Sequence, residues 1–163
     1  MGAFAAEEVA RLFRLHGPQV YRRALRLLGN ATDAEEALQD VFLKILDRVD
    51  DFDDQDKTLN WLYRITTNHC LNVIRGRKRR LAATEAFRVA PQRADHTVAV
   101  DATLLRELLS RADPREAEAA VYVHLDGMSY SEAAPLLGVS KRTVGNLIAR
   151  FDAWAATALG GTS

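Results

Sequence analysis

The chain has 163 residues, 48% of them hydrophobic and 27% charged, which excludes a disordered polypeptide and suits one ordinary domain or two small ones. No apolar run approaches the roughly 18–20 residues of a membrane span, so no membrane insertion is expected. Lysine plus arginine number 22 and aspartate plus glutamate 22, so net charge gives no argument for a polyanionic partner, and only the placement of the charges can.

Helical periodicity dominates the chain, and no stretch alternates convincingly with the period of a strand. Residues 5–28 carry Val9, Leu12, Phe13, Val20, Ala24, Leu27 and Leu28 on one apolar stripe, with Gly17-Pro18 as a candidate interruption and Gly29-Asn30 as the end of the element. Thr32-Asp33-Ala34-Glu35 then reads as a capping box, in which the Thr32 hydroxyl accepts from the Glu35 N–H and Glu35 reaches back. Asp33, Glu35 and Glu36 also suit the positive end of a helix dipole. The helix that follows is expected to reach about residue 49, with Leu38, Val41, Phe42, Ile45 and Val49 on one side. Asp50 to Asp56 make an acidic loop, and Thr58 is expected to cap a further helical segment through Trp61-Leu62-Tyr63-Arg64-Ile65 to about Ile74.

Between residues 81 and 100 the periodicity fades, and Pro91, Gln92, Arg93 and Asp95 break it in the manner of a linker. Beyond it the punctuation is clear. Asp113-Pro114-Arg115-Glu116 places an N-cap, a proline at the first helical position and a capping-box glutamate in order. That helix closes at Asp126-Gly127, where glycine can take a left-handed conformation. Ser129-Tyr130-Ser131-Glu132 is another capping box, its helix ends at Gly138, and Ser140 caps a last helix over residues 141–155. The expected architecture is all-α: two small helical domains, residues 1–80 and 101–163, joined by a linker over 81–100, the second domain a helix-turn-helix.

The sequence offers little for catalysis. His16, His69, His96 and His124 fall on separate elements, with no serine, cysteine or carboxylate arranged as a nucleophile–base pair. Cys70 is the only cysteine; beside His69 with no further ligand at metal-binding spacing, it reads as a buried structural thiol in a reducing, cytoplasmic setting. No catalytic residue, metal site or cofactor is expected. The opening MGAFAAEEVARLFRL lacks a basic leader region and a cleavage site, and Ala6 stands where an N-myristoylation motif wants serine or threonine.

Binding is better supported. Between residues 64 and 80 the charged residues are Arg64, Arg75, Arg77, Lys78, Arg79 and Arg80, with no acid among them. Such a block suits a phosphate backbone, and taken alone it suits a solvated helix end equally well. Trp61, Tyr63, Asn68 and Asn72 lie beside it; aromatics and amides next to cations suit unpaired bases, although Trp61 or Tyr63 alone is more often a core residue. In residues 130–151, a small Ala134 at the fifth position, Gly138 at the ninth and an apolar Val144 at the fifteenth meet the steric rules of a DNA-binding helix-turn-helix, with a plain helical hairpin as the alternative. On the last helix Val144, Leu147, Ile148, Phe151 and Trp154 make the inward stripe. Arg142, Asn146 and Arg150 share the opposite face, with Lys141 and Thr143 near its start.

These motifs, in this order, resemble those of the extracytoplasmic-function (ECF) sigma factors, the sigma-70 superfamily members with only regions 2 and 4. LFRLHGPQVYRRALRLLGNATDAEEALQDVFLKIL is similar to the first half of region 2, WLYRITTNHCLNVIRGRKRR to the part that melts and reads the −10 element, and LDGMSYSEAAPLLGVSKRTVGNLIARF to region 4, which reads the −35 element. The resemblance implies a non-enzymatic sigma factor that directs promoter-specific transcription initiation. Its implied partners are core RNA polymerase (the β′ clamp and β flap), promoter DNA and an anti-sigma factor. It further implies core-polymerase contact at Glu36, Gln39, Asp40 and Leu43. Contact with the −10 element is implied for Trp61, Arg64, Asn68, Asn72, Arg75, Arg77, Lys78, Arg79 and Arg80. Contact with the −35 element is implied for Ser140, Lys141, Arg142, Thr143, Asn146 and Arg150.

Three features depart from that family pattern. Gly145, Leu147 and Asp152 stand where the family often has arginines, Pro135 lies inside the first helix of the motif, and the acidic loop would repel nearby DNA. Two other readings follow: a stand-alone helix-turn-helix transcriptional regulator, which leaves residues 61–80 unexplained, and a partner-regulated sigma-like interaction protein.

Overall fold

The computed structural model describes residues 3–48, 55–83 and 98–160. Asp50 to Asp54 of the acidic loop, and Pro91, Gln92, Arg93 and Asp95 of the linker, lie outside the described residues. Every regular element among the described residues is helical: α1 (Ala3–Leu28), α2 (Ala31–Leu46), α3 (Gln55–Ala83), α4 (Val98–Arg111), α5 (Pro114–Ala120) running into a π turn (Val121–Leu125), α6 (Tyr130–Leu137) and α7 (Lys141–Gly160). The chain divides into two compact units, Met1–Cys70 and Leu71–Ser163, with the division inside α3.

In the first unit α1 passes through Gly17-Pro18 without a break. Pro18 removes one hydrogen bond to the carbonyl of Arg14, but both residues are exposed, so water can take up the freed acceptor. The helix ends at Gly29, whose φ of 86° is the left-handed conformation glycine adopts without penalty. The cap of α2 is Asn30, not Thr32. The backbone leaves Gly29 extended at Asn30, and the Asn30 Oδ1 accepts from the Asp33 N–H at 2.9 Å, while Thr32 already lies inside the helix. The cap position is thus set by where the left-handed turn releases the chain, two residues before the threonine. Thr58 is likewise inside a helix, because α3 begins at Gln55.

The unit closes around Leu12, Val20, Val41, Phe42, Ile45 and Leu62, with Val9, Leu38, Trp61 and Ile65 packed against them. Phe13 meets Phe42 edge to face, centroids 5.0 Å apart. A polar contact crosses from α1 to α3. Arg23 donates from Nε and Nη2 to the Thr67 hydroxyl at 2.9 and 2.7 Å, and Thr67 donates to the Tyr63 carbonyl at 2.8 Å. The same guanidinium lies 4.8 Å above the Tyr63 ring.

The second unit follows its punctuation closely. Asp113 accepts from the N–H groups of Arg115 and Glu116 with Pro114 at the first helical position. The hydrogen-bond ladder then slips by one residue into the π turn, closed by the Asp126 N–H on the Val121 carbonyl at 3.0 Å and followed by Gly127 at φ 72°. Ser129 and Glu132 form the reciprocal capping box of α6, and Gly138 ends that helix at φ 68°. The Ser140 hydroxyl accepts from the Thr143 N–H at 3.1 Å to cap α7, which runs to Gly160, beyond the expected end near residue 155. Ala134 and Val144 are buried where the two helices cross, so all three steric requirements of the helix-turn-helix are met. Pro135 is exposed, as is Ser131, whose carbonyl it leaves without an intrahelical partner, so this proline sits where water limits its cost.

Asn30→Ala is expected to lower the stability of the chain by about 1 kcal/mol, the usual worth of a side-chain N-cap, while Thr32→Ala stays within about 0.5 kcal/mol of wild type. Urea unfolding followed by circular dichroism measures both; the reverse ranking would return the cap to Thr32.

Candidate partner and nucleic-acid interfaces

Three outward-facing surfaces carry the residues singled out by the sequence. On α2, Ala34, Ala37, Val41, Phe42 and Ile45 face inward, so Glu36, Gln39, Asp40 and Leu43 form the exposed stripe opposite. Leu43 is 61% exposed, well above Leu46 at the helix end, which is 38% exposed. Asp40 and Lys44, one turn apart, both reach His69 of α3. His69 Nδ1 stands 3.2 Å from Lys44 Nζ, and its Nε2 stands 3.5 Å from Asp40 Oδ2. Burial, and then the Lys44 charge, hold the imidazole below its ordinary pKa, with Asp40 opposing. His69 was not singled out by the sequence, because nothing local marks a histidine whose partners lie 25 and 29 residues upstream.

On α3, Arg64, Asn68, Asn72 and Arg75 follow one another at helical spacing along one side. Arg64 and Asn72 are exposed, and Asn68 is half-buried. Trp61 is half-buried against the core cluster, so its ring serves packing as well as any surface role. The basic block is not uniform. Arg79 and Arg80 are exposed. Lys78 lies 3.3 Å from Glu107 of α4, and Arg75 donates to Asn72 Oδ1 at 3.4 Å. Burial holds Arg75 below its ordinary pKa, with the charge of Asp113 opposing; burial, then Arg106 and Arg80, does the same to Arg77. These contacts could not be read from the block itself, since Arg106, Glu107 and Asp113 belong to later parts of the chain.

On α7, Lys141, Arg142, Asn146 and Arg150 are exposed, the last three on one face at four-residue intervals. Ser140 and Thr143 are engaged with each other, their hydroxyl oxygens 3.0 Å apart at the helix cap. Two of the three arginine-less positions, Leu147 and Asp152, have an intramolecular explanation, and packing does not account for the third, Gly145. Leu147 is buried, Asp152 pairs with His124 of the π turn at 2.7 Å, and Gly145 lies beside the Tyr130 ring, 3.4 Å from where its Cβ would stand.

Cys70 is fully buried, and burial pushes its thiol up to about 12, out of reach of a thiolate role. Among the described residues no cluster of histidine, cysteine and carboxylates could hold a metal ion. A small cleft in the first unit, lined by His16, Gln19, Val20, Arg23, Tyr63 and Thr66 among others, has room for about one water.

Residues 12–80 match the sigma-70 region 2 family and residues 102–150 the sigma-70 region 4 family. The ECF RNA polymerase sigma factor SigE of Mycolicibacterium smegmatis is 37% identical over 147 residues, an alignment covering 85% of this chain and 56% of that protein. The ECF RNA polymerase sigma factor SigM of Mycobacterium tuberculosis is 32% identical over 156 residues, covering 92% of this chain and 76% of SigM. Among solved structures, that of CnrH in complex with the cytosolic domain of CnrY matches with a TM-score of 0.58 and 26% identity, covering 98% of this chain and 96% of that one. Both sigma-70 regions are therefore present in order on one helical chain, which belongs to the ECF RNA polymerase sigma factors, a family of non-enzymatic transcription initiation factors.

Proposed function

We propose that this chain binds core RNA polymerase and directs it to promoters, with residues 1–80 acting as region 2, 81–100 as the linker and 101–163 as region 4. The observation that carries this reading is the pairing, on one chain, of an amide- and arginine-lined face on α3 with a capped helix-turn-helix whose Arg142–Asn146–Arg150 face is open. A stand-alone helix-turn-helix regulator would use only the second. Glu36, Gln39, Asp40 and Leu43 suit docking of α2 on the β′ clamp: a protruding leucine ringed by polar groups is the pattern of a helix that pairs with another helix. Region 4 is assigned contact with the β flap as well as the −35 element. SigM and SigE carry RNA polymerase in their names, and CnrH is in complex with the cytosolic domain of CnrY, which supports a protein partner here, assigned on this reading to the anti-sigma class. Work alongside RNA polymerase places the chain in the cytoplasm on this reading. Among the described residues no helix is long and apolar enough to cross a membrane.

Within region 2 the proposed labour is divided by chemistry. An asparagine amide offers one donor and one acceptor edge, so Asn68 is assigned to an extruded −10 base with Asn72 beside it. Arg64, Arg75, Arg77, Lys78, Arg79 and Arg80 are assigned to phosphates, with Trp61 supporting the helix from behind. In region 4, Arg142 and Asn146 are assigned to base edges, Arg150 and Lys141 to the backbone, and the N-terminus capped by Ser140 and Thr143 to a phosphate.

Charge reversal in Asp40→Arg is expected to weaken affinity for core polymerase about tenfold or more, the scale of one charged hydrogen bond at ~1.5–3 kcal/mol, with little change in the unfolding midpoint. Titration of labelled protein with core enzyme reads this directly, and unchanged affinity across substitutions at Glu36, Gln39, Asp40 and Leu43 would remove the docking assignment. Asn68→Ala should slow open-complex formation at promoters carrying the preferred −10 base and spare those without it. The triple replacement of Arg77, Lys78 and Arg79 by alanine should weaken all promoters alike and flatten the salt dependence by about one unit of slope for each phosphate no longer neutralised. Run-off transcription on paired promoters distinguishes the two classes; identical behaviour would dissolve the division. Arg142→Ala and Asn146→Ala should each reduce discrimination at single −35 positions by ~1–3 kcal/mol. Strong −35 protection in footprints, unaltered by either substitution, would relocate the reading face.

A further inference from the structure

We propose that His69 is a positioning residue that ties the polymerase-facing side of α2 to the base-reading side of α3. The inference rests on the reading of α2 as the polymerase-docking helix. His69 follows Asn68 directly on α3, and both of its ring nitrogens face α2, Nδ1 at 3.2 Å from Lys44 Nζ and Nε2 at 3.5 Å from Asp40 Oδ2. An ammonium group has donors only, so Nδ1 accepts and the ring proton sits on Nε2, on the Asp40 side, where the 3.5 Å separation is an electrostatic contact and not a hydrogen bond. This neutral tautomer, with one acceptor and one donor, is the form that fits between a cation and an anion on successive turns of one helix. A protonated ring would direct an N–H at the Lys44 ammonium.

The bridge is not needed to hold the helices together, since Val41, Phe42, Ile45 and Leu62 already do so in the core. What it adds is orientation. The Asp40 side chain remains 54% exposed, so its carboxylate can meet a donor from a partner while the imidazole behind it narrows the rotamers it samples. The ring that does this is fixed to the backbone one residue from Asn68. Docking on α2 and base capture on α3 therefore share a side chain, and a change at one is felt at the next residue of the other.

The test uses full-length chain, core polymerase and a promoter carrying a fluorescent base analogue near the −10 element. His69→Ala is expected to weaken core affinity roughly fivefold and to slow open-complex formation at saturating core, with the fold intact by circular dichroism. In an Asp40→Asn background the same substitution should cost little. His69→Gln, whose amide nitrogen falls near the place of Nε2 and keeps a polar N–H beside Asp40, should restore most of the core affinity, which a merely space-filling role would not predict. Gln39→Ala and Leu43→Ala, which do not touch the ring, report on the docking face alone. If they weaken core binding while His69→Ala does not, or while the Asp40 and His69 effects simply add, the positioning role is overturned and the docking face stands. If none of the α2 substitutions changes core affinity, the docking assignment falls, and the proposal falls with it.

Discussion

The rotational setting of α3 is the constraint on which the first unit depends, and a buried hydroxyl helps to set it. Thr67 is fully buried, and a hydroxyl placed there without a partner would cost on the order of 1–3 kcal/mol. It donates to the carbonyl of Tyr63 one turn earlier and accepts from two nitrogens of Arg23. That arrangement favours the same rotation of α3 as the packing of Leu62, Trp61 and Ile65 on the core. With Thr67 turned to α1, Trp61 and Ile65 fall on the core, His69 falls on α2, and Arg64, Asn68 and Asn72 are left to the remaining side. Each helical residue turns about 100°, so an outward asparagine next to an inward threonine is a geometric consequence of the first choice.

The second unit is governed by left-handed glycines. Gly127 and Gly138 stop their helices at defined residues, and Ser129 and Ser140 restart the chain two residues later with capped ends. The crossing of α6 and α7 then needs a small side chain at Ala134 and an apolar anchor at Val144, both buried. The turn geometry is thus dictated locally, and the orientation of the Arg142–Asn146–Arg150 face follows from it without any contact to that face.

These local rules explain how much was legible in the sequence. Caps, glycine stops and apolar stripes act over four or five residues, so most of the helices, the helix-turn-helix and the buried Cys70 could be read from spacing alone, whereas α4 and the last turns of α3, which no cap or glycine stop marks, could not. Where two local signals competed, as at Asn30 and Thr32, the outcome depended on the backbone conformation of Gly29, which the residue types by themselves do not rank. The uninterrupted α1 was underdetermined for a similar reason, because an exposed proline costs less than a buried one and exposure is a tertiary property. The π turn depends on one hydrogen bond slipping by a residue, with no side-chain signature to announce it. Charge partners were the least legible. Lys78 with Glu107, Asp113 near Arg75, His124 with Asp152, and His69 with Asp40 and Lys44 are all separated by at least 25 residues, and the basic block read as uniform only because its later neighbours were invisible.

The arginine-poor recognition helix illustrates why sequence position and structural position must be kept apart. An arginine at Leu147 would have to be buried, at a desolvation cost of several kcal/mol, so leucine there forgoes no contact to a base. Asp152 is taken by His124 on the side of α7 that meets the π turn, away from a reading role. Gly145 is different. A Cβ there would stand 3.4 Å from the Tyr130 ring, ordinary contact at its tight edge, so packing alone does not forbid a longer side chain. Of the three departures only Gly145 is a position where packing leaves room for a cation, and the remaining exposed donors on α7 are few. Because each phosphate contact adds its own increment of counterion release, a face with few cations binds with a shallow salt dependence and a small sequence-independent contribution. On the proposed reading, discrimination by such a face comes from hydrogen bonds to base edges, the chemistry that Arg142 and Asn146 offer.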